Sequence, residues 1–430
     1  MTDMVSHADT TRADAALIAF GRLVIVVLLL TISPLALVMF GWQYDDTGGG
    51  PLEKIHPATS LALLVFAASL AQRGNPLTAL SSVLSSHARA IPFLLGIGFM
   101  IVYSMLVIGA PFTMFIETFL GPLLMFFLYD RIDDGEARLL ARVIHALLFV
   151  NALLGIYEFV FAYHLTPLVV NGELLAGELR STALLGHPLA NAAVVGCYIF
   201  MLALGGGRDI PPSLKLTCFV VNTASMVVFG GRAATALVLI ALVIIALRRL
   251  LGALRGEPFD LRAIKMGVVA APVAALAIAG LAEYGFFDTF LDRIVDDEGS
   301  ASTRIAMFEL FNHFNWTDLI FAPDAKQVAT WSSIYGLDYG IENFIVAFIL
   351  TFGIFATVVF MPALLLFCSA VVRSLRPGGV WVFVYFFAVA MTSVSLSSKT
   401  PLFSTLIVLM MVLMRRHPAM PWRHSSGLKD

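Results

Sequence analysis

The sequence predicts an all-α, polytopic membrane helix bundle, and three observations predict it. Hydrophobic residues make up 59% of the 430-residue chain and charged residues only 13%, with a mean hydropathy of +0.89, whereas an ordinary soluble domain is about a quarter charged. No soluble fold of this size has an interior able to take so large an apolar fraction, so most of the chain must face lipid. Apolar stretches recur along the whole length, and many approach the about 20 residues that cross roughly 30 Å of hydrocarbon. The 27 Lys and Arg are also unevenly shared between alternate connections, as expected when basic loops stay in the cytoplasm.

Taken in order, the candidate spans are 16–40, 57–71, 91–109, 111–129, 139–161, 189–204, 214–230, 232–248, 264–283, 341–371, 380–396 and 400–415, about 12 in all. The second, sixth and twelfth are short, and the breaks at 110 and 231 are tight re-entries. The first span is too long for a cleavable signal peptide, carries Arg22, and lacks a small-residue cleavage site. With the N-terminus in the cytoplasm, 20 of the 27 Lys and Arg fall on the inner side. The seven outside are Lys54, Arg180, Arg232, Arg293, Arg304, Lys326 and Lys399. Twelve spans with both termini inside satisfy that bias, and a shift by one span reverses it. Residues 1–430 are therefore expected to form a single membrane domain, with loose cytoplasmic tails at 1–12 and 417–430.

Inner connections are short and basic. Two outer ones are long, about 162–188 and 284–340. The second, between helices 9 and 10, is rich in Asp, Asn, Trp and Tyr; a long polar loop in a membrane protein suggests function. Its Trp316, Trp331 and Tyr335 suit stacking on sugar rings or an interfacial aromatic belt. Cys197, Cys218 and Cys368 each sit in an apolar run, without disulfide or metal-ligand spacing.

Arginines are depleted outside, so the four that remain are candidate functional groups. Arg180 lies in LRSTALLGHPLAN, Arg232 in VVFGGRAATAL, and Arg293 and Arg304 flank DRIVDDEGSASTR. Gly230-Gly231-Arg232 puts a guanidinium at a helix N-terminus, where unpaired N–H groups and the helix dipole already favour an anion. A forked Arg donor set suits phosphate oxygens there. For Arg293 and Arg304, pairing with Asp292, Asp296, Asp297 or Glu298 is the plainer alternative. Two carboxylates, Glu117 and Glu158, fall in the outer half of spans, where an acid is costly and either functional or paired. No relay of acids and bases runs through the bilayer, which argues against an ion-coupled transporter. His187 precedes Pro188 at a helix start, and His313 stands near Trp316. No histidine pair has metal-site spacing, so no metal is expected. No nucleotide-binding signature is present, so any chemistry must draw on energy already loaded on the substrate. Neither a cofactor nor a nucleic-acid partner is implied.

Four features together resemble the O-antigen ligase and Wzy-type polysaccharide polymerase superfamily of bacterial envelope glycosyltransferases. They are the many-helix layout with a long late loop, RSTALLGHPLAN ahead of a helix, GGRAA followed by an aliphatic helix, and DDEGSASTR followed by YGIENFIVAFILTFGIFA. The resemblance spans roughly residues 90–415, and the nearest subgroup is the VpsF-like exopolysaccharide biosynthesis proteins. The sequence departs from the family's pattern in two places. Glu342-Asn343 stands where many members have His-Asn, and Leu185 replaces a phenylalanine.

The resemblance implies a membrane glycosyltransferase C-like fold in the bacterial inner membrane, with the long loop in the periplasm. It implies metal-independent, inverting transfer of glycan from an undecaprenyl-diphosphate-linked oligosaccharide to a sugar hydroxyl on a lipid-linked acceptor. A chain-length regulator or other polysaccharide assembly proteins are the partners it suggests. On that reading Arg180, Arg232 and Arg304 hold the diphosphate, with Arg293 in reserve. Glu342 is the first choice of general base, His187 the second and Glu158 the third, and Asn343 and Glu158 join the substrate-binding set. The alternatives are a ligase acting on lipid A-core, a flippase that does no covalent work, and a non-catalytic scaffold.

Overall fold

The computed structural model describes residues 2–44, 48–109, 111–167, 169–170, 173–174, 180–256, 300–338 and 340–416. Among the described residues the architecture is all-helical apart from a two-residue antiparallel ladder, Val169–Val170 with Glu173–Leu174, and a lone bridge between Leu375 and Arg415. Helices α1 (Thr2–Thr31), α2 (Pro34–Met39), α3 (Pro57–Ala71), α4 (Pro76–Ser86), α5 (Ile91–Tyr103), α6 (Gly121–Tyr129) and α7 (Asp134–Phe161) make up the first half. Then come α8 (Pro188–Ala203), α9 (Pro212–Val228), α10 (Arg232–Leu254), α11 (Ser300–Glu309), α12 (Trp316–Phe321) and α13 (Ala325–Ile334). The chain closes with α14 (Phe344–Ser374), α15 (Gly379–Ala390) and α16 (Leu402–Leu413).

Among the described residues, five helical segments are long and apolar enough to cross a membrane: Asp14–Thr31, Ala88–Ile108, Asp134–Phe161, Arg232–Leu254 and Phe344–Ser374. Six shorter apolar helices accompany them. Together they fall on every expected segment except 264–283, which lies outside the described residues. The molecule is a helical membrane protein, and its surface says the same. Leu64, Leu95, Leu106, Val243, Val358 and Leu365 are each more than 60% exposed, a surface suited to lipid.

Local chemistry corrects several boundaries. The expected span 16–40 is two helices, because Pro34 disfavours helical geometry at the residue before it. Ser33 is extended, and its Oγ caps α2 by accepting from Ala36 N at 3.0 Å. The backbone of residues 2–12 continues α1, where a loose tail is expected. The spans 91–109 and 111–129 each contain a widened π-type turn, Ser104–Ile108 and Phe115–Leu120. The span 380–396 stops at Ala390, and a hydroxyl-rich irregular stretch follows. Helix α4, capped by Asn75, is not expected from hydropathy.

The core is built around α16, buried along its whole length, and α8, nearly so. A phenylalanine stack joins α5, the π-type turn Phe115–Leu120 and α14: Phe93 lies 4.6 Å from Phe367 and 5.7 Å from Phe360, and Phe119 lies 4.9 Å from Phe360. Aromatic packing of this kind supplies the dispersion contacts that hold helices together where no hydrophobic effect acts between them.

One end of the bundle is basic and tightly tied. Arg22 makes a forked pair with Glu136 at 2.6 and 2.7 Å, and Arg415 reaches Asp134 at 3.1 Å. Arg376 donates to the carbonyls of Arg415 and Gly205, Lys215 to Gly206, and Arg249 to Ala203. These cations come from the connections expected on one side of the membrane.

The described part of the long loop is folded, not extended. Met307, Leu310, Leu319 and Leu337 pack on Val346 and Leu350 of α14. Tyr103 Oη donates to Phe321 O at 2.9 Å. Helix α14 breaks at Gly353, with φ 82° and ψ 162°, where the backbone of Ile320–Ala322 presses in.

Candidate anion-binding cavity

The segment that carries Arg180 is fixed by buried polar groups. Glu158, fully buried on α7, accepts from Leu165 N at 2.9 Å, Thr182 N at 2.8 Å and Ala183 N at 2.8 Å. Asn151 Oδ1 accepts from Leu184 N at 3.0 Å, while its Nδ2 donates to Asn191 Oδ1 at 2.9 Å. Asn191 in turn donates to the carbonyls of Thr182 and His187. Ser181 N donates to Val228 O, and its hydroxyl to Gly155 O. Every buried amide from Ser181 to Leu184 thus has a partner, as burial requires.

The turn between α9 and α10 comes up beside it. Gly230 has φ 64°, and a Cβ there would lie 2.7 Å from both Cγ and Cδ of Arg180. Glycine is needed twice over, for its backbone conformation and for the arginine stem laid across it. At Gly231 a Cβ would meet Ala192 of α8 at 2.5 Å. Arg232 is the first residue of α10, and Tyr385 of α15 holds that first turn by donating to Ala234 O at 3.1 Å.

A cavity of about 100 Å³ opens here, lined by Arg180, Arg232, Glu342, Thr392, Ser393 and the Gly230–Ala234 turn, among others. One water needs roughly 10–15 Å³ measured in the same way, so the space takes a small polyatomic anion group. Its wall brings two guanidinium groups and a helix N-terminus against one carboxylate, a net positive balance suited to phosphate oxygens.

Of the other expected site residues, those whose side chains are described lie elsewhere. Glu158 does not line the cavity, because its oxygens are used to anchor the Arg180 segment. His187 is exposed and caps α8, its Nδ1 accepting from Leu189 N at 3.2 Å. Asn343, adjacent to Glu342, caps α14 by accepting from Ile345 N and Val346 N. Arg293 lies outside the described residues; Arg304 falls on α11, but its side chain lies outside them too. Glu117 holds the start of α3, accepting from His56 N and Thr59 Oγ1, both at 2.7 Å. Trp331 stacks on His313 at 3.7 Å, and His313 Nε2 is 2.8 Å from Tyr335 Oη, so these three rings form one cluster; Trp316 is exposed. Among the described residues no three His, Cys, Asp or Glu side chains converge as a metal site.

Thr392 and Ser393 are cavity residues that sequence reading missed. Their signal is the run TSVSLSSKT, too rich in hydroxyls for the lipid-facing span it was expected to complete. No protein-family model, no curated protein and no solved structure matches the chain.

Proposed function

We propose that this chain is a multi-pass protein of the bacterial inner membrane, with twelve spans and both termini in the cytoplasm, that polymerises a surface polysaccharide. It moves a glycan from an undecaprenyl-diphosphate donor to a sugar hydroxyl on a lipid-linked acceptor at the periplasmic face. The observation that carries this reading is one cavity lined by Arg180, Arg232 and Glu342 at a helix N-terminus.

The chemistry follows from those groups. The acceptor hydroxyl oxygen attacks the anomeric carbon as the bond from that carbon to the diphosphate oxygen breaks, with inversion. The electron pair leaves on the diphosphate, where Arg180, Arg232 and the first N–H groups of α10 stabilise the new charge in a low-dielectric site. The hydroxyl proton passes to Glu342, which needs only hydrogen-bond reach to act as general base. Diphosphate is already a good leaving group, so no general acid is required. A ligase acting on lipid A-core would use the same donor side and differ in its acceptor.

The decisive experiment supplies purified protein in lipid with an undecaprenyl-diphosphate oligosaccharide, with and without a chelator. Longer lipid-linked products, unchanged by the chelator, are expected. Arg232→Ala should lower the rate by about 100- to 1000-fold, the usual effect of removing one charge-stabilising donor. Normal chain growth by a correctly inserted Arg232→Ala protein refutes the assignment. In a deletion strain, single repeat units outside the membrane indicate a polymerase, units trapped inside a flippase, and full-length unattached polymer a ligase.

A further inference from the structure

An intramembrane groove of about 790 Å³ runs between α14 and α15, and the proposed chemistry does not use it. Its walls are apolar: Leu365, Val380, Val384 and Phe387 face it, and the first three are also open to the surface. Only one of its ends is charged. Arg89, just ahead of α5, and Arg373, in the last turn of α14, line that end, and no Asp or Glu lines the groove anywhere. Arg89 reaches across to α14, with Nη1 3.5 Å from Ser369 Oγ. Among the described residues neither guanidinium has a carboxylate within salt-bridge distance. The nearby Asp130 is instead engaged by His87 at 2.9 Å.

The length of the groove identifies its occupant. Phe344 and Ile345, from ahead of the Gly353 break, also line the groove. Beyond the break the α14 wall runs from Met361 to Arg373, about 18 Å of helix and close to half of the roughly 30 Å hydrocarbon thickness. That is one leaflet. A lipid rooted at the basic end puts an anionic headgroup on two arginines and its acyl chains in the groove. Trp381, half exposed beside Val380, stands where an interfacial aromatic belongs. Basic pockets between helices on the cytoplasmic side recognise anionic headgroups in this way.

We propose that this groove is a binding site for an anionic phospholipid of the cytoplasmic leaflet, held by Arg89 and Arg373. The proposal rests on the membrane orientation given above and not on the enzymatic reading. Full-length protein, stripped of lipid in detergent, is titrated with dioleoyl phosphatidylglycerol and with dioleoyl phosphatidylcholine. Retained lipid is read by native mass spectrometry, and unfolding temperature in parallel.

Phosphatidylglycerol should be preferred by about fivefold per arginine. R89Q/R373Q should abolish the preference while still binding both lipids through their chains. V384W, which fills the groove, should lose retention of both. Equal retention of the two lipids by the natural protein overturns the proposal, as does a preference that survives R89Q/R373Q. Displacement of bound phosphatidylglycerol by undecaprenyl phosphate also overturns it and assigns the groove to the carrier lipid. Should V384W fail to fold, the double arginine variant alone decides, since both of its positions are exposed.

Discussion

Glu158 illustrates how an intramembrane carboxylate can be taken up by the backbone around it. Three backbone amides, Leu165, Thr182 and Ala183, donate to it, and His164 Nδ1 lies 3.7 Å away. Glu158→Ala strands those amides in a dry interior at about 1–3 kcal/mol each. The protein should lose about 3 kcal/mol or more and unfold at a clearly lower temperature in detergent. Glu158→Gln keeps one acceptor oxygen and should lose less. An unchanged unfolding temperature in Glu158→Ala would mean that the Arg180 segment is held by other groups. At Arg232 the conservative change separates charge from shape: Arg232→Lys retains a point charge without the fork and should recover only part of the activity lost in Arg232→Ala.

A second residue pair predicts a pH dependence. His87 and Asp130 lie at the basic end, outside the spans. The hydrogen bond to Asp130 raises the His87 pKa above its ordinary 6.5. Burial pushes the Asp130 carboxyl up, but hydrogen bonds from His87 and Ser374 leave it below the ordinary carboxylate range. A raised histidine stabilises the fold fully below its unfolded pKa, and that contribution is lost as pH rises through the folded value. A lowered carboxylate stabilises above its unfolded pKa, and its contribution is lost as pH falls through the folded value. The pair should therefore contribute between those limits and fade as pH climbs past the His87 titration. Its worth is about 1 kcal/mol at most, because both side chains are partly exposed. The unfolding temperature of His87→Gln should fall below that of the natural protein at pH 6 and converge with it at alkaline pH.

At the scale of elements, hydropathy located segments well and their interruptions poorly. Pro57–Ala71 occupies the expected range 57–71, because proline opens the helix and an apolar run sustains it. The break at Gly353 was not legible, since it arises from a partner distant in sequence. A Cβ there would lie 2.4 Å from Ile320 O and 2.6 Å from Ala322 N. The loop backbone and α14 thus share space that only glycine leaves open. Arg232 and Glu342 were legible because Arg232 opens α10 and Glu342 stands just ahead of the α14 cap. Thr392 and Ser393 were not, because a hydroxyl inside an apolar run reads as part of the span until the helix is seen to end. Gly353→Ala should push the loop off α14, costing about 1–3 kcal/mol from backbone strain alone. Faster proteolysis within 300–338 than in the natural protein, with α14 intact, is the measurable sign; equal protection of the loop would show that it docks without Gly353.

For the whole molecule, orientation is the property on which function turns. On the proposed orientation, the cations of the tied basic end lie inside, and the Arg180 cavity and the α11–α13 loop outside. Arg232 and Arg249 stand 17 residues apart on one helix, about 25 Å, so they mark opposite faces. The three native cysteines are buried, which leaves a quiet background for labelling with a membrane-impermeant maleimide. Ser333 in α13 and Ser82 in α4 are exposed and lie on opposite sides by this reading. In cells with a permeabilised outer membrane, Ser333→Cys should label without lysis, and Ser82→Cys only after the inner membrane is broken. The reverse pattern would place the arginine cavity in the cytoplasm, where a carrier-linked glycan is not presented for periplasmic transfer. Labelling of both in intact cells would show that Ser82 and Ser333 share a side, and the count of spans between them would have to change by one.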